Sequence, residues 1–312
     1  MSEDTKEISS VSDLLQEVKN VEEYCFDPGM GESLFWYRGH SDETWELQPA
    51  VLRNVHADLI HQMESIKSSN KWDNVFANER TINRRFRNEA YSYLGHVPAV
   101  RLYFAAQHHG LPTRLLDWSL NPLVALYFAC RDENNIGNDG CVYRLFPRDL
   151  PHIFLGRSEN PPSPFDDIVS EYRPIIKKFI RHCLFDFKSP GEFNKLHNIP
   201  VIPIIPTDIT DRIRVQASRF TFHPPATEQS LNSLLPPQSL LSILQEKKRS
   251  LVKYIVPSDK KTNILAELNR LGIHGYSLFP DLDNLALHLK TIYCSRLTYL
   301  PLGSSSSGKT GP

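Results

Sequence analysis

A chain of 312 residues, 40% hydrophobic and 23% charged, reads as a soluble globular protein with room for one large domain or two ordinary ones, and it excludes disorder throughout. Thirty-five Lys and Arg against thirty-six Asp and Glu leave a net charge of −1, so no global field draws the protein to nucleic acid or to an anionic membrane surface. The longest strongly apolar stretch, Leu120 to Cys130, is about half of the roughly 20 residues a spanning helix needs. No membrane partner is expected. The polar start Met-Ser-Glu-Asp-Thr-Lys-Glu lacks the apolar core of a secretory signal and predicts cytoplasmic residence. Five cysteines with no C-x-x-C pair indicate reduced, mostly buried thiols rather than a disulfide framework or a zinc site. The 23 prolines outnumber the 14 glycines and crowd the middle third, which should be rich in loops.

Ser10 and Asp13 can cap a first helix carrying Leu14, Leu15, Val18 and Val21 at helical spacing. After a break at Pro28 to Gly31, the run Leu34-Phe35-Trp36-Tyr37 reads as a buried strand delivering Arg38 and Gly39 at its end. A helix is expected from Asn78 to Leu94, and a second from Pro98 to a C-terminal glycine cap at Gly110. Leu111 to Ser119 then reads as a short irregular connection. Asn121 and Pro122 supply a cap and a first-turn proline for a helix to Cys130.

Cys141 to Phe146 alternates as a strand. Ile199 to Ile205 suits only an extended edge element, because its prolines cannot donate to a ladder. Asp208 to Gln216 predicts a short helix and Arg219 to His223 a strand. Leu251 to Val256 is a strand, Ser258 caps a helix ended by Gly272, Tyr276 to Phe279 reads as another strand, and Leu282 to Ile292 as a last helix. Strands and helices without regular alternation favour α+β architecture, with a mixed sheet, several flanking helices and a loop-rich, proline-containing middle. Residues 303–312 form a Gly/Ser-rich flexible tail.

The densest polar cluster is Gln107-His108-His109-Gly110-Leu111-Pro112-Thr113-Arg114-Leu115-Leu116-Asp117-Trp118-Ser119, at the junction of two predicted helices where sites tend to lie. Asn121 and the amides of the following helix start can also meet an anion. A purely structural account is equally specific: Arg114 pairs with Asp117, Ser119 or Asn121 caps the helix, and the histidines lie on the surface. Arg38 favours a site, since a guanidinium fork followed by a glycine suits recognition of a phosphate or carboxylate.

Tyr37-Arg38-Gly39, then Trp45-x-Leu47-x-Pro49 with Arg53, then the 107–119 segment with Asn121-Pro122-Leu123-x-Ala125-Leu126-Tyr127-Phe128-Ala129, resemble the FRG domain family, known as a signature in bacterial and phage-related proteins. The match is dense over residues 35–146. Arg212-Ile213-x-x-Gln216-x-x-x-Phe220 and the stretch from Gly272-Ile273 to Leu278-Phe279-Pro280-Asp281-Leu282-Asp283 also look like the family. Ser218-Arg219 departs from it where a glycine is expected between Gln216 and Phe220. The resemblance implies an N-terminal helical extension over 1–27, a single FRG-type domain over 28–296, with a proline-rich region at 147–206 and a C-terminal part at 250–294, and a tail over 297–312.

The arrangement of a strand-borne arginine with downstream histidine and hydroxyl residues is similar to the plan of ADP-ribosyltransferases, and that similarity implies NAD as substrate. Under it Asp117 and His109 are the catalytic candidates, and Tyr37, Arg38, Gly39, Thr113, Arg114, Trp118, Ser119 and Asn121 the nucleotide-binding ones. Arg38 would clamp the pyrophosphate, His109 and Thr113 position ribose or amide, and Trp118 or Tyr37 stack on a ring. No Glu-x-Glu or Gln-x-Glu follows the Arg212 to Phe220 segment, and Glu228 is the nearest glutamate, which leaves Asp117 to serve as the carboxylate. The partner expected is a nucleotide or another anionic small molecule, with a protein or nucleic-acid target as an addition. Two further classes stay open: a non-catalytic nucleotide- or partner-binding module, and a metal-dependent hydrolase or nuclease using Asp117, His109, Asp281 and Asp283. The last is disfavoured, because acidic residues at 281 and 283 suit a helix start for dipole reasons alone, and no metal is expected.

Overall fold

The computed structural model describes residues 6–25, 34–53, 71–150, 174, 176–177, 180–181, 201–206, 210–223 and 250–297. In chain order these form α1 (Val11–Cys25), β1 (Trp36–His40), α2 (Lys71–Leu94), α3 (Ala99–His108), β2 (Leu115–Ser119), α4 (Pro122–Cys130), β3 (Gly140–Leu145), β4 (Ile202–Ile204), α5 (Asp211–Val215), β5 (Ser218–Phe222), β6 (Leu251–Val256), α6 (Ser258–Arg270), α7 (Gly275–Leu278) and α8 (Leu282–Leu297). The expected break at 28–31, Glu228, most of the proline-rich middle and the tail lie outside the described residues. No described helix is long and apolar enough to cross a membrane.

The strands build one six-stranded sheet in the order β4-β5-β2-β1-β3-β6, and the architecture is α+β. Every ladder is antiparallel; the parallel component expected of a mixed sheet is confined to an isolated bridge of Glu7 with Ile255.

Strand alternation sends successive side chains to opposite faces. Leu116, Trp118, Trp36, Tyr143 and Leu145 form one apolar cluster spanning the middle of the sheet. The other face carries two separate clusters. Leu115, Phe220, Phe222 and Ile202 pack with Tyr103 and Phe104 of α3, whereas Tyr37, Val142, Tyr254 and Val256 pack with α1, α4 and α6. Gly39 allows α4 to lie against β1, since a Cβ there would stand 1.9 Å from the Ala125 carbonyl oxygen and 2.6 Å from the Ala129 nitrogen.

The two central strands barely pair. β1 and β3 match at five positions, as do β2 and β5, but β1 and β2 share a single register pair, Tyr37 with Ser119. The sheet therefore opens in its middle, beside the boundary between the two clusters.

Local chemistry accounts for the helix ends. Asn121 Oδ1 accepts from the Leu123 amide at 2.9 Å, with Pro122 in the first turn. Ser10 Oγ accepts from the Asp13 amide at 3.2 Å, capping α1, and Asp13 accepts from the Ser9 amide one residue before the cap at 2.9 Å. Gly110 and Gly272 end α3 and α6 with φ of +80° in both cases. Cys130 and Cys141 are buried free thiols, and burial pushes them up to about 12 and about 11, so both stay protonated.

The structure corrects four readings. Leu115–Ser119 is a strand, not part of an irregular loop: Leu115, Leu116 and Trp118 are buried on its two faces, and β5 supplies a partner that no local signal announces. β1 runs one residue beyond the expected Arg38-Gly39 end, to His40, placing Arg38 mid-strand. Tyr276 to Phe279 is not a strand. Residues Gly275–Leu278 form a short helix instead, because His274 accepts from the Ser277 amide and Ser277 closes the reciprocal bond. Ser258 does not cap α6; its amide donates to Asp139 Oδ1 at 2.8 Å, and Pro257 holds the cap position.

Candidate functional site

Arg38 occupies the opening between β1 and β2. Its Nη1 donates to the Asp117 carbonyl oxygen at 2.7 Å, taking over an acceptor on the β2 edge that faces the gap. Its Nε donates to His40 Nε2 at 2.9 Å. An arginine cannot accept, so Nε2 of His40 is unprotonated and the ring proton sits on Nδ1, 3.3 Å from the Trp45 carbonyl oxygen. Burial first, then the charges of Arg38 and Arg53, hold His40 well below the ordinary histidine range. Sequence reasoning missed His40, although its i, i+2 spacing from Arg38 on a strand puts both on one face.

Two bonds anchor the guanidinium and leave three of its five N–H groups without an acceptor among the described residues. The side chain is 15% exposed, and Asp117 Oδ2 lies 4.0 Å from Nη1 on a side chain 55% exposed. Burial, followed by the like charge of Arg53, lowers the Arg38 pKa to about 10, while Asp117 works the other way. The guanidinium stays charged at neutral pH, and its counterion among the described residues, Asp117, stands at 4.0 Å on a half-exposed side chain, so a bound anion would add to a weak ion pair.

A cavity of about 180 Å³ opens at this point, lined among others by Arg38, Asp117, Ser119, Phe128, Arg212 and Gln216. Arg212 rises from the first turn of α5, where Thr210 Oγ1 accepts from the Ile213 amide. Its Nη1 donates to the His108 carbonyl oxygen at 2.7 Å, and its guanidinium carbon lies 4.6 Å from the Phe279 ring centre. Arg131 lies 4.7 Å from the same ring centre, so α4, α5 and the segment after α7 converge on Phe279. Arg212 and Gln216 were visible only as a spaced pair in the resemblance, and their i, i+4 spacing reflects a turn of helix.

Arg212 also lines a second cavity of about 360 Å³, together with Arg101, Phe104, His108, His109, Asp211, Phe279 and Asp281. Burial, with Arg212 and His109, lowers the His108 pKa.

Asp117 faces the first cavity, and Gln107 Nε2 donates to its Oδ2 at 2.7 Å. Thr113 is fully buried; its hydroxyl bonds Gln107 Oε1 and accepts from the Leu115 amide. Thr113 thus steadies the residue that steadies Asp117. Arg114 does not pair with Asp117. It is buried against Glu79, with Nε 2.9 Å from Oε2 and Nη2 2.8 Å from it, and this ion pair fastens α2 to the start of β2. Trp118 is buried and donates to Thr221 Oγ1 at 3.0 Å, and Tyr37 is buried in the core beneath α4. Ser119 Oγ donates to the Gln216 carbonyl oxygen at 2.6 Å and accepts from Asn121. Gly39 is the contact with α4. His109 is exposed and lines the second cavity, whereas Asp117 lines the first.

Asp281 accepts from the Asn284 amide and side chain, the helix-start role that its position suggests. Among the described residues no group of three or more His, Cys, Asp or Glu is placed to hold a metal ion.

No curated protein and no solved structure matches the chain. The family model of the FRG domain matches residues 33–137, the span that holds Arg38, His40, Glu79 and the whole 107–121 segment, and the chain therefore carries an FRG domain.

Proposed function

We propose that the opening between β1 and β2 binds the phosphate group of a nucleotide, and that this nucleotide is NAD. The supporting observation is Arg38: a largely enclosed guanidinium anchored through Nε and one Nη1 hydrogen, with its other donors unclaimed among the described residues and lining a cavity. Such a group recognises a planar or tetrahedral oxyanion through paired hydrogen bonds. Arg212, at the same cavity, adds a second positive charge against the single carboxylate of Asp117.

Turnover would break the bond between the ribose C1′ and the nicotinamide nitrogen. The electron pair leaves with nicotinamide, and water or a target nucleophile takes its place at C1′ and loses a proton. Asp117, held by Gln107, is the carboxylate available to stabilise the positive charge that develops on the ribose, and His109 would meet a hydroxyl or amide from the second cavity. The engagement of Asp117 by Gln107 also suits a module that binds the nucleotide without turnover.

Isothermal titration with NAD, followed by assay of released nicotinamide, tests the proposal. Binding that is lost in Arg38→Ala supports it, nicotinamide release distinguishes the enzyme from the module, and equal affinity in the two proteins overturns it.

A further inference from the structure

The two cavities differ in charge as well as in size. In the first, Arg38 and Arg212 face one carboxylate, Asp117. In the second, Arg101 and Arg212 stand with Asp281 and with Asp211, which also pairs with Arg214, beside the apolar walls of Phe104 and Phe279. A phosphate belongs where positive charge is in excess. An uncharged ring bearing hydroxyl groups belongs where carboxylates can accept its hydrogens and apolar walls can cover its faces.

Size points the same way. Sites that enclose a small organic ligand run to roughly 300–1,000 Å³, and the first cavity, at about 180 Å³, holds little beyond a phosphate group and its neighbour. The second, at about 360 Å³, falls within that range. Arg212 lines both, and its guanidinium is fixed by the His108 carbonyl oxygen and the Phe279 ring.

We infer that the second cavity takes the nucleoside part, heterocycle and ribose, of the ligand whose phosphate lies on Arg38, with Arg212 as the wall common to both. This rests on the phosphate reading of the first cavity. Arg212 is then a specificity-determining residue, because it is placed to touch the ligand on either side of the bond between phosphate and nucleoside.

The test compares inorganic pyrophosphate, ADP and nicotinamide mononucleotide by titration against the unmodified protein and Ala105→Trp. Ala105 is a wall position of the second cavity with no polar side chain, and Ala105→Leu serves as a smaller plug should the larger side chain prevent folding. At least one nucleotide is expected to bind tenfold or more tighter than pyrophosphate, and the plug should erase that advantage; which nucleotide gains identifies the half that is bound. A nucleotide advantage that survives both plugs, or its absence while pyrophosphate binds through Arg38, overturns the inference and leaves the phosphate reading standing. Failure of pyrophosphate to bind, or binding indifferent to Arg38→Ala, overturns both.

Discussion

Arg38 and His40 are joined by a hydrogen bond of 2.9 Å from the guanidinium Nε to the imidazole Nε2. A neutral histidine thus fixes the tilt of an arginine whose remaining donors line the cavity. A hydrogen bond to a charged group contributes about 1.5–3 kcal/mol, so His40→Leu should weaken pyrophosphate binding by roughly tenfold or more. His40→Gln keeps an acceptor and should retain most of the affinity. Titration of the two variants, with thermal melts as a check on folding, decides it; equal losses in both would mean that the anchor does not matter.

Histidine burial makes stability depend on pH. The pKa values of His40, His108 and His274 are lowered chiefly by burial, and that of His223 falls to about 3. As pH drops through the unfolded value near 6.5, the unfolded chain takes up protons that the folded one refuses, so stability falls. His40 and His223, the two that are almost wholly buried, each contribute a slope of up to ~1.4 kcal/mol per pH unit, and the partly exposed His108 and His274 contribute less. Glu79, raised by burial, acts in the opposite sense as pH rises past its unfolded value of 4.5, where its folded form holds the proton longer. Urea denaturation at pH 7 and pH 5 should show the lower midpoint at pH 5.

Asp117 opposes an anion in the cavity. Replacing it with Asn removes the charge and keeps an oxygen for Gln107, so Asp117→Asn should tighten pyrophosphate by about fivefold, near 1 kcal/mol. If the site turns over NAD, the same variant should lose nicotinamide release while still binding. Weaker pyrophosphate binding would show that the carboxylate supports the anion site.

The Glu79 and Arg114 side chains are 0% and 4% exposed and 2.8 Å apart. Removing either partner strands the other in the interior, so Glu79→Leu or Arg114→Met should each cost about 3–5 kcal/mol. The double variant should cost much less than the sum. A double-mutant cycle in urea measures the coupling; additive losses would show that the pair does not act as a unit.

Gly39 has no room for a side chain between β1 and α4. Gly39→Ala forces the helix backbone away and should destabilise by about 3 kcal/mol. Gly137, around which an added Cβ would meet nothing within 4 Å, provides the control substitution, and denaturant midpoints for the two variants give the comparison.

Most helix boundaries were legible because caps are local: Asn121 with Pro122, Gly110 and Gly272 announce themselves within a turn of chain. The sheet was only partly legible. β2 hides behind Arg114, whose charge reads as a surface residue until Glu79 of α2 neutralises it. The run from Tyr276 looks extended because nothing in its own residues reveals that His274 caps it. Arg38 and the 107–119 cluster could be singled out by residue type, but Arg212 and His40 acquire meaning only when the strands bring them to the gap. Even the family's missing glycine has a structural echo, since Ala217, two residues before Arg219, takes a positive φ of 46°, a conformation that favours glycine.

The single register pair between Tyr37 and Ser119 has a consequence for how the protein opens. Each central strand takes its main partner from a later part of the chain, β1 from β3 and β2 from β5, so the β6-β3-β1 and β2-β5-β4 halves are separately cohesive, joined across the gap by one bridge, the Arg38 bond to the Asp117 carbonyl oxygen and the apolar cluster beneath them. Backbone amides on the inner edges of β1 and β2 should therefore exchange with solvent sooner than those facing β3 and β5. A ligand spanning the two halves would slow that exchange, acting as a clasp on a sheet that otherwise unzips from its centre.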